Sequence, residues 1–218
     1  MTWSRVFNIT FAALIILALF LCLSAYAQIP ERADHYRRDL TRISQQEMGL
    51  AAPVALFAAQ IHQESSWRSD AKSPYAVGLS QFTPATAKWI AEIYPDLGTA
   101  APYSPGWAMR AMLRYDRHIR ERVKPWHARD IPQCDKWAFT LSGYNGGPGW
   151  ISRDRRQAES AGHCSDVWFG SVEKYSTRSA SAFKENRHYV NRILNNLEPR
   201  YIAAGWPAGA KGATCFAL

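Results

Sequence analysis

Apolar residues in this chain recur at helical spacing between prolines and glycines, and no long run alternates residue by residue as a half-buried strand requires. Val54, Phe57, Ala58 and Ile61 fall at i, i+3, i+4 and i+7 behind Pro53, a residue suited to the first turn of a helix. Thr83-Pro84 offers a capping hydroxyl followed by proline, and the helix it starts runs to about Tyr94, where Pro95 stops it. Trp107–Arg122 puts Ala108, Met112, Tyr115 and Ile119 inward and leaves Arg110, Arg114, Arg117, Arg120 and Arg122 mostly on a wet face. Trp137–Tyr144 is more uniformly apolar than the other helical stretches, and is expected as a buried helix broken by Gly146-Gly147-Pro148-Gly149. Ser181–Leu197 forms the last strong helix, with Tyr189, Ile193 and Leu197 at fourfold spacing. Residues 31–50 are helical with a weaker pattern that ends near Gly49. Ser69–Leu79, with Pro74 and Gly78, is a loop with room for a short extended piece. The expected fold class is therefore mainly α.

The 218 residues, 47% of them hydrophobic, suffice for one well-buried core. We expect that core in residues 28–203, followed by a loose Gly/Ala-rich tail, 204–218. Residues 1–27 stand apart. Arg5 precedes the apolar stretch Phe11–Leu23, and Ser24-Ala25-Tyr26-Ala27 puts small residues at the positions read by a signal peptidase. Export with cleavage after Ala27 is the leading expectation, giving a location in the periplasm or cell envelope. An uncleaved signal anchor competes, because a spanning helix needs roughly 17–25 residues and Phe11–Ala27 is of that length. Such an anchor would bring the protein to the membrane through residues 11–27, and a buried core helix is the third reading.

Export makes the cysteines candidate disulfide partners. Loss of the leader removes Cys22 and leaves Cys134, Cys164 and Cys215. Cys134–Cys164 is the preferred pair, with Cys215 either free or pairing with one of them. No two cysteines sit close together, and no histidine stands at finger-like spacing from them, so no metal site is expected. The formal charge of +8 falls by one with Arg5 and suits an anionic polymer or membrane face. Export and the lack of a reader motif argue against nucleic acid.

Glu64 extends the apolar stripe of its helix, three residues after Ile61 and seven after Phe57. Burial raises a carboxyl's pKa, and the C-terminal end of a helix disfavours negative charge. Both keep a proton on Glu64, as a general acid requires. The competing reading turns Glu64 outward to solvent or to Arg68.

Four separated segments bear on that choice. They are Gln63-Glu64-Ser65-Ser66, Gly78-Leu79-Ser80-Gln81-Phe82-Thr83-Pro84, Gly143-Tyr144-Asn145-Gly146-Gly147-Pro148-Gly149 and Phe183-Lys184-Glu185-Asn186-Arg187-His188-Tyr189-Val190. In this order, across residues 63–190, they resemble the soluble lytic transglycosylase family, whose members are related to goose-type lysozyme. Each string is weak alone, and the ordered set is specific. The resemblance implies a lysozyme-like fold with an open cleft, and Glu64 as the lone catalytic acid and base. It also implies Tyr144 and Asn145 as substrate-positioning groups, and Glu185 orienting the site from one layer behind, or else held in a structural ion pair with an arginine. Gln81 offers a donor and an acceptor to an N-acetyl group, its plainer reading being an exposed turn residue. Asn145 in its plainer reading serves only the turn before Gly146. Ser65 either contacts substrate or caps its helix.

The chain departs from the family pattern at Ser80, where a cleft-lining Met is usual, at Gly143 in place of Ala, and at Asn186 in place of Thr. The polar stretch Arg153–Asp166 has no counterpart and is expected as a cysteine-stapled flap. The implied activity is cleavage of the bond between N-acetylmuramic acid and N-acetylglucosamine in peptidoglycan, closing a 1,6-anhydro ring, with no cofactor and with a monomeric enzyme. A lysozyme-like muramidase, a phage endolysin of either chemistry and a non-catalytic wall-binding protein are the alternatives. A paired-carboxylate hydrolase needs a second acid, and no motif surrounds Asp70, Glu92 or Asp96.

Overall fold

The computed structural model describes residues 29–127 and 130–210. The expected leader or anchor, and the tail beyond residue 210, lie outside them. The α-helices in chain order are α1 (Arg32–Met48), α2 (Val54–Ser65), α3 (Pro84–Ile93), α4 (Pro105–Arg122), α5 (Gln133–Gly146), α6 (Gly149–Ser160), α7 (Ala180–Arg192) and α8 (Glu198–Ala203). Among the described residues, extended pairing is confined to two isolated antiparallel bridges, Lys72 with Val77 and Val77 with Phe82, inside and just past the expected loop. The fold is mainly helical, and none of the described helices is long and apolar enough to cross a membrane.

The starts of the helices follow from local chemistry. Thr83 Oγ1 accepts the Thr86 N–H at 3.1 Å, with Pro84 next in line. Pro53 sits one position earlier than expected, as the cap of α2 with φ −79°, so its missing N–H costs the helix nothing. At the centre lies α5, where Ala138, Phe139 and Leu141 are fully buried, packed between α4 and α7. Phe57 of α2 meets Trp137 of α5 edge-to-face at 5.7 Å, which ties these two helices together.

Several expectations are corrected. The arginines of α4 are not simply a wet face. Arg114 grips both carboxylate oxygens of Glu47 on α1 at 2.9 and 3.0 Å, and Arg110 and Arg117 each approach the same carboxylate at 3.7 Å. A helix-period count cannot tell a solvated arginine from one that docks a neighbouring helix.

Arg153–Asp166 is no flap. Most of it is α6, and Asp154, Arg155 and Asp166 are buried. Arg155 pairs with Asp166 and donates to the carbonyls of Ser165 and Lys124, while Asp166 accepts the Trp126 and His127 N–H groups. The charges are inside because each is paired and hydrogen-bonded. Cys164 is free and exposed, which overturns the Cys134–Cys164 pairing. Cys134 is disulfide-bonded, and Cys22 and Cys215 lie outside the described residues.

The last helix is composite. α7 ends at Arg192, a π turn spans Ile193–Leu197, and α8 follows. Pro199 explains the widened turn, since it has no N–H to return to residue 195 and its ring needs room against that carbonyl. Residues 204–210, expected as loose tail, are packed. Trp206 is buried against Trp67 and Tyr201, the Pro207 carbonyl accepts the Ala55 N–H at 2.9 Å, and the Ala210 N–H reaches the Ala51 carbonyl at 3.3 Å. Composition flagged the glycines and missed the single tryptophan that anchors them.

Candidate active site

Glu64 and later parts of the chain enclose an open cleft with a cavity volume of about 450 Å³. The last turn of α2 supplies Glu64, the loop before α3 supplies Tyr75 and Gln81, the end of α5 supplies Tyr144 and Asn145, and α7 supplies Glu185.

Glu64 reaches the cleft because its helix stops abruptly. Ser66 and Trp67 both take left-handed backbone conformations, at φ 50° and 65°, which cost energy without glycine. What holds Trp67 there is an aromatic cluster. Its ring stacks on Tyr36 at 5.8 Å, and its Nε1 donates to Tyr201 Oη at 2.6 Å. The strained turn thus rests on the C-terminal packing described above.

The Glu64 carboxyl is desolvated, and burial pushes its pKa from about 4.5 up to about 8. Tyr189 Oη donates to Glu64 Oε1 at 2.5 Å and opposes that rise by favouring the ionised form. Burial is the larger effect, so the group holds its proton at neutral pH yet has a donor ready when the proton leaves.

Gln81 is the third non-glycine residue in the left-handed region, at φ 46°. Its Nε2 donates to the Gly78 carbonyl at 2.9 Å and more weakly to that of Ala71 at 3.4 Å, so the side chain's donor braces the loop. No donor among the described residues bonds its carbonyl oxygen, which is the end available to a ligand. Gly78 is required beside it: φ is +76°, and a Cβ would fall 1.9 Å from the Pro102 carbonyl oxygen.

Tyr144 Oη donates to the Ser80 carbonyl at 2.8 Å, and burial pushes its hydroxyl pKa well up. Ser80 itself is fully buried, with Oγ on the Ala108 carbonyl at 3.1 Å, so this position braces α4 and does not line the cleft. Asn145 Oδ1 accepts from Asn186 Nδ2 at 2.9 Å. The same Nδ2 donates to the Ser142 carbonyl, and Asn186 Oδ1 accepts from Ser142 Oγ at 2.8 Å. Asn186, where the family has Thr, is thus a buried clamp that sets Asn145. Gly143, in place of Ala, is explained by packing, because a Cβ would come within 2.7 Å of Ile151 Cδ1 and 3.0 Å of Ile119 Cγ2.

Of the residues singled out in the sequence, Glu64, Gln81, Tyr144, Asn145 and Glu185 converge on the cleft, and Ser65 does not. Ser65 is buried and turns its Oγ back to the Ile61 carbonyl at 3.3 Å. Glu185 is an exposed wall residue with no ion pair among the described residues, so neither sequence reading of it matches its position. Sequence reasoning overlooked Tyr189 as the partner of Glu64. Its place one helical turn after Glu185, on the same face, was the available signal. Tyr115, expected to face inward, is buried in the core and also lines the cleft, with its pKa raised to about 12 by burial.

Behind the cleft Asp116 is fully buried on α4, receiving Gln60 Nε2 at 3.3 Å, and burial raises its pKa well above the usual carboxylate range. Among the described residues no group of three or more His, Cys, Asp or Glu is arranged to hold a metal ion.

Residues 39–165 match the family model described as the transglycosylase SLT domain. A membrane-bound lytic murein transglycosylase F from Vibrio cholerae is 31% identical over 169 residues, covering 69% of this chain and 30% of that protein. A membrane-bound lytic murein transglycosylase F 2 from Alkalilimnicola ehrlichii is 30% identical over 180 residues, covering 81% of this chain and 36% of its own. The chain therefore spans about a third of the length of these relatives. In three dimensions the chain is similar to the 70 kDa soluble lytic transglycosylase of Escherichia coli, with a TM-score of 0.53 at 21% identity, over 81% of this chain and 26% of that one. This last likeness concerns the fold, which is the lysozyme-like one the sequence motifs implied.

Proposed function

Because this chain belongs to the transglycosylase SLT domain family, we propose that it is a lytic transglycosylase that cleaves peptidoglycan between N-acetylmuramic acid and N-acetylglucosamine. One observation carries the reading. Of the two carboxylates that line the cleft, Glu64 is half-buried against the Tyr189 hydroxyl, with its pKa pushed by burial up to about 8, while Glu185 is exposed.

In the proposed reaction Glu64 donates its proton to the glycosidic oxygen as the bond breaks. Tyr189 Oη then stabilises the carboxylate left behind through its 2.5 Å hydrogen bond. The same carboxylate accepts the proton of the C6 hydroxyl, whose oxygen closes on C1 to give a 1,6-anhydro product. The acetamido group of the sugar supports the positive charge between the two steps. Asn145, fixed by Asn186, and the carbonyl end of Gln81 are suited to hold N-acetyl groups. Tyr144 supports the wall between them. The substrate, glycan strands of the wall, places the proposed site of action in the cell envelope, in keeping with the export segment expected in residues 1–27.

The mass of the products tests the chemistry. Purified glycan is expected to yield ends lighter by one water than hydrolytic ends, and hydrated reducing ends alone would make the enzyme a muramidase, in which water and not the C6 hydroxyl attacks C1.

A further inference from the structure

In the core behind the cleft a polar pair bridges two helices. Gln60 of α2 and Asp116 of α4 are both fully buried, and Gln60 Nε2 donates to Asp116 Oδ1 at 3.3 Å. No other hydrogen bond among the described residues joins α2 to α4. Burying a carboxyl and an amide costs free energy unless their polar atoms are satisfied, so the pair calls for a reason.

Its place in α2 supplies one. Gln60 lies four residues before Glu64, one helical turn away on the same face. Asp116 follows Tyr115, whose ring lines the cleft and meets the Tyr144 ring at 5.3 Å. The pair thus ties the helix that carries the acid to a helix that walls its cleft.

The unspent atoms define the protonation. Asp116 Oδ2 and Gln60 Oε1 are both buried without a donor. Ionised, Asp116 would be a core charge held by one amide contact. The ionisable groups within its electrostatic reach are Glu64 on α2, Tyr115 on its own helix, Tyr144 on α5 and Tyr189 on α7, and none is a cation. A single proton on Oδ2 answers for both oxygens: the carboxyl gains an O–H to donate, and the Gln60 carbonyl is the acceptor left for it. Acid and amide then pair through two hydrogen bonds with no net charge. Burial works in the same direction, since it pushes the Asp116 pKa well up, and a charge on Glu64 pushes it further.

We propose that Asp116, protonated and bonded reciprocally to Gln60, is a positioning residue that sets the last turn of α2 and with it the Glu64 carboxyl. The inference rests on the reading of Glu64 as acid and base above. A neutral partner suits that cycle, because it holds the helix without opposing the negative charge on Glu64 between its two proton transfers. An apolar pair would fill the same space without fixing the register of α2 on α4.

Replacing both partners by apolar groups of similar size tests this, because such an exchange is commonly near neutral for stability. Gln60→Met combined with Asp116→Leu is expected to keep the thermal transition near that of wild type. Its kcat should fall about tenfold, the cost of a small misplacement of the acid, with KM within about twofold. Wild-type kcat in a folded double variant overturns the proposal. Asp116→Asn puts an amide donor where the O–H was, so kcat should stay within about twofold and the alkaline limb of the pH–rate profile should not move. An ionised Asp116 would raise the pKa of Glu64, and removing it would shift that limb to lower pH. Such a shift, or a tenfold loss of kcat in Asp116→Asn, overturns the neutral pair. Should the double variant not fold, Gln60→Asn draws the amide back by one methylene: loss of kcat at unchanged KM supports the proposal, and wild-type kcat overturns it. Wild-type protein that leaves purified glycan intact defeats the reading of Glu64 instead.

Discussion

Glu64 at the end of α2 and Glu198 at the start of α8 have carboxyls that burial pushes to the same pKa, about 8. Their surroundings differ in everything else. Glu64 opens on a cleft and has the Tyr189 hydroxyl on one oxygen. Glu198 is fully buried beside the π turn, and neither of its oxygens has a hydrogen-bond partner among the described residues. Desolvation alone therefore does not mark a catalytic acid. A proton is useful only where a substrate atom can reach it, and a partner must be waiting for the charge that its departure creates.

The largest expected difference between the two acids is in turnover. Glu64→Gln should lower the rate of glycan cleavage by about a thousandfold or more, while Glu198→Gln stays within about threefold of wild type, as initial rates on purified glycan will show. A thousandfold loss in the Glu198 variant would erase the distinction. Next comes Tyr189→Phe, expected to cost about tenfold in kcat. Its second signature is directional. The Tyr189 bond lowers the pKa of Glu64, so its loss raises that pKa and moves the alkaline limb of the pH–rate profile upward. For wild type that limb should lie near pH 8, activity falling as Glu64 loses its proton.

The smallest effect is on stability, where both acids act with the same sign. Each has a folded pKa above its unfolded one, so the folded protein binds the extra proton. The stability this gives is fully present below about pH 4.5 and is lost as pH rises to about 8. Each contributes a slope of at most about 1.4 kcal/mol per pH unit in that window. Glu198→Gln should remove one such slope, seen as a flatter fall of melting temperature between pH 5 and 8. An unchanged slope would mean that Glu198 is hydrated and not desolvated.

Much of this was legible in the sequence for definite reasons. The stripe Val54, Phe57, Ala58, Ile61 already carried Glu64 to the buried side of its helix, because helical spacing is set by the backbone and not by tertiary context. Thr83-Pro84 announced α3 through its own hydroxyl. The illegible parts were those in which one segment answers to another far along the chain. Trp206 was hidden in a glycine-rich stretch, yet it supports Trp67 and with it the turn after Glu64. Asn186 looked like a mild departure and proved to be the clamp on Asn145. Cys164 looked like the preferred partner of Cys134, but closing a bridge depends on where the loops run.

By itself, then, the sequence determined the helical class, the start of α3 at Thr83-Pro84 and the place of Glu64 at the end of an apolar helical face, all consequences of backbone period and local capping. Only the tertiary structure decided which desolvated carboxyl faces a cleft and which tyrosine waits beside it. Those are distances between helices that the chain's own spacing does not encode, and at this site a few ångströms separate an acid with access to substrate from one sealed in the core.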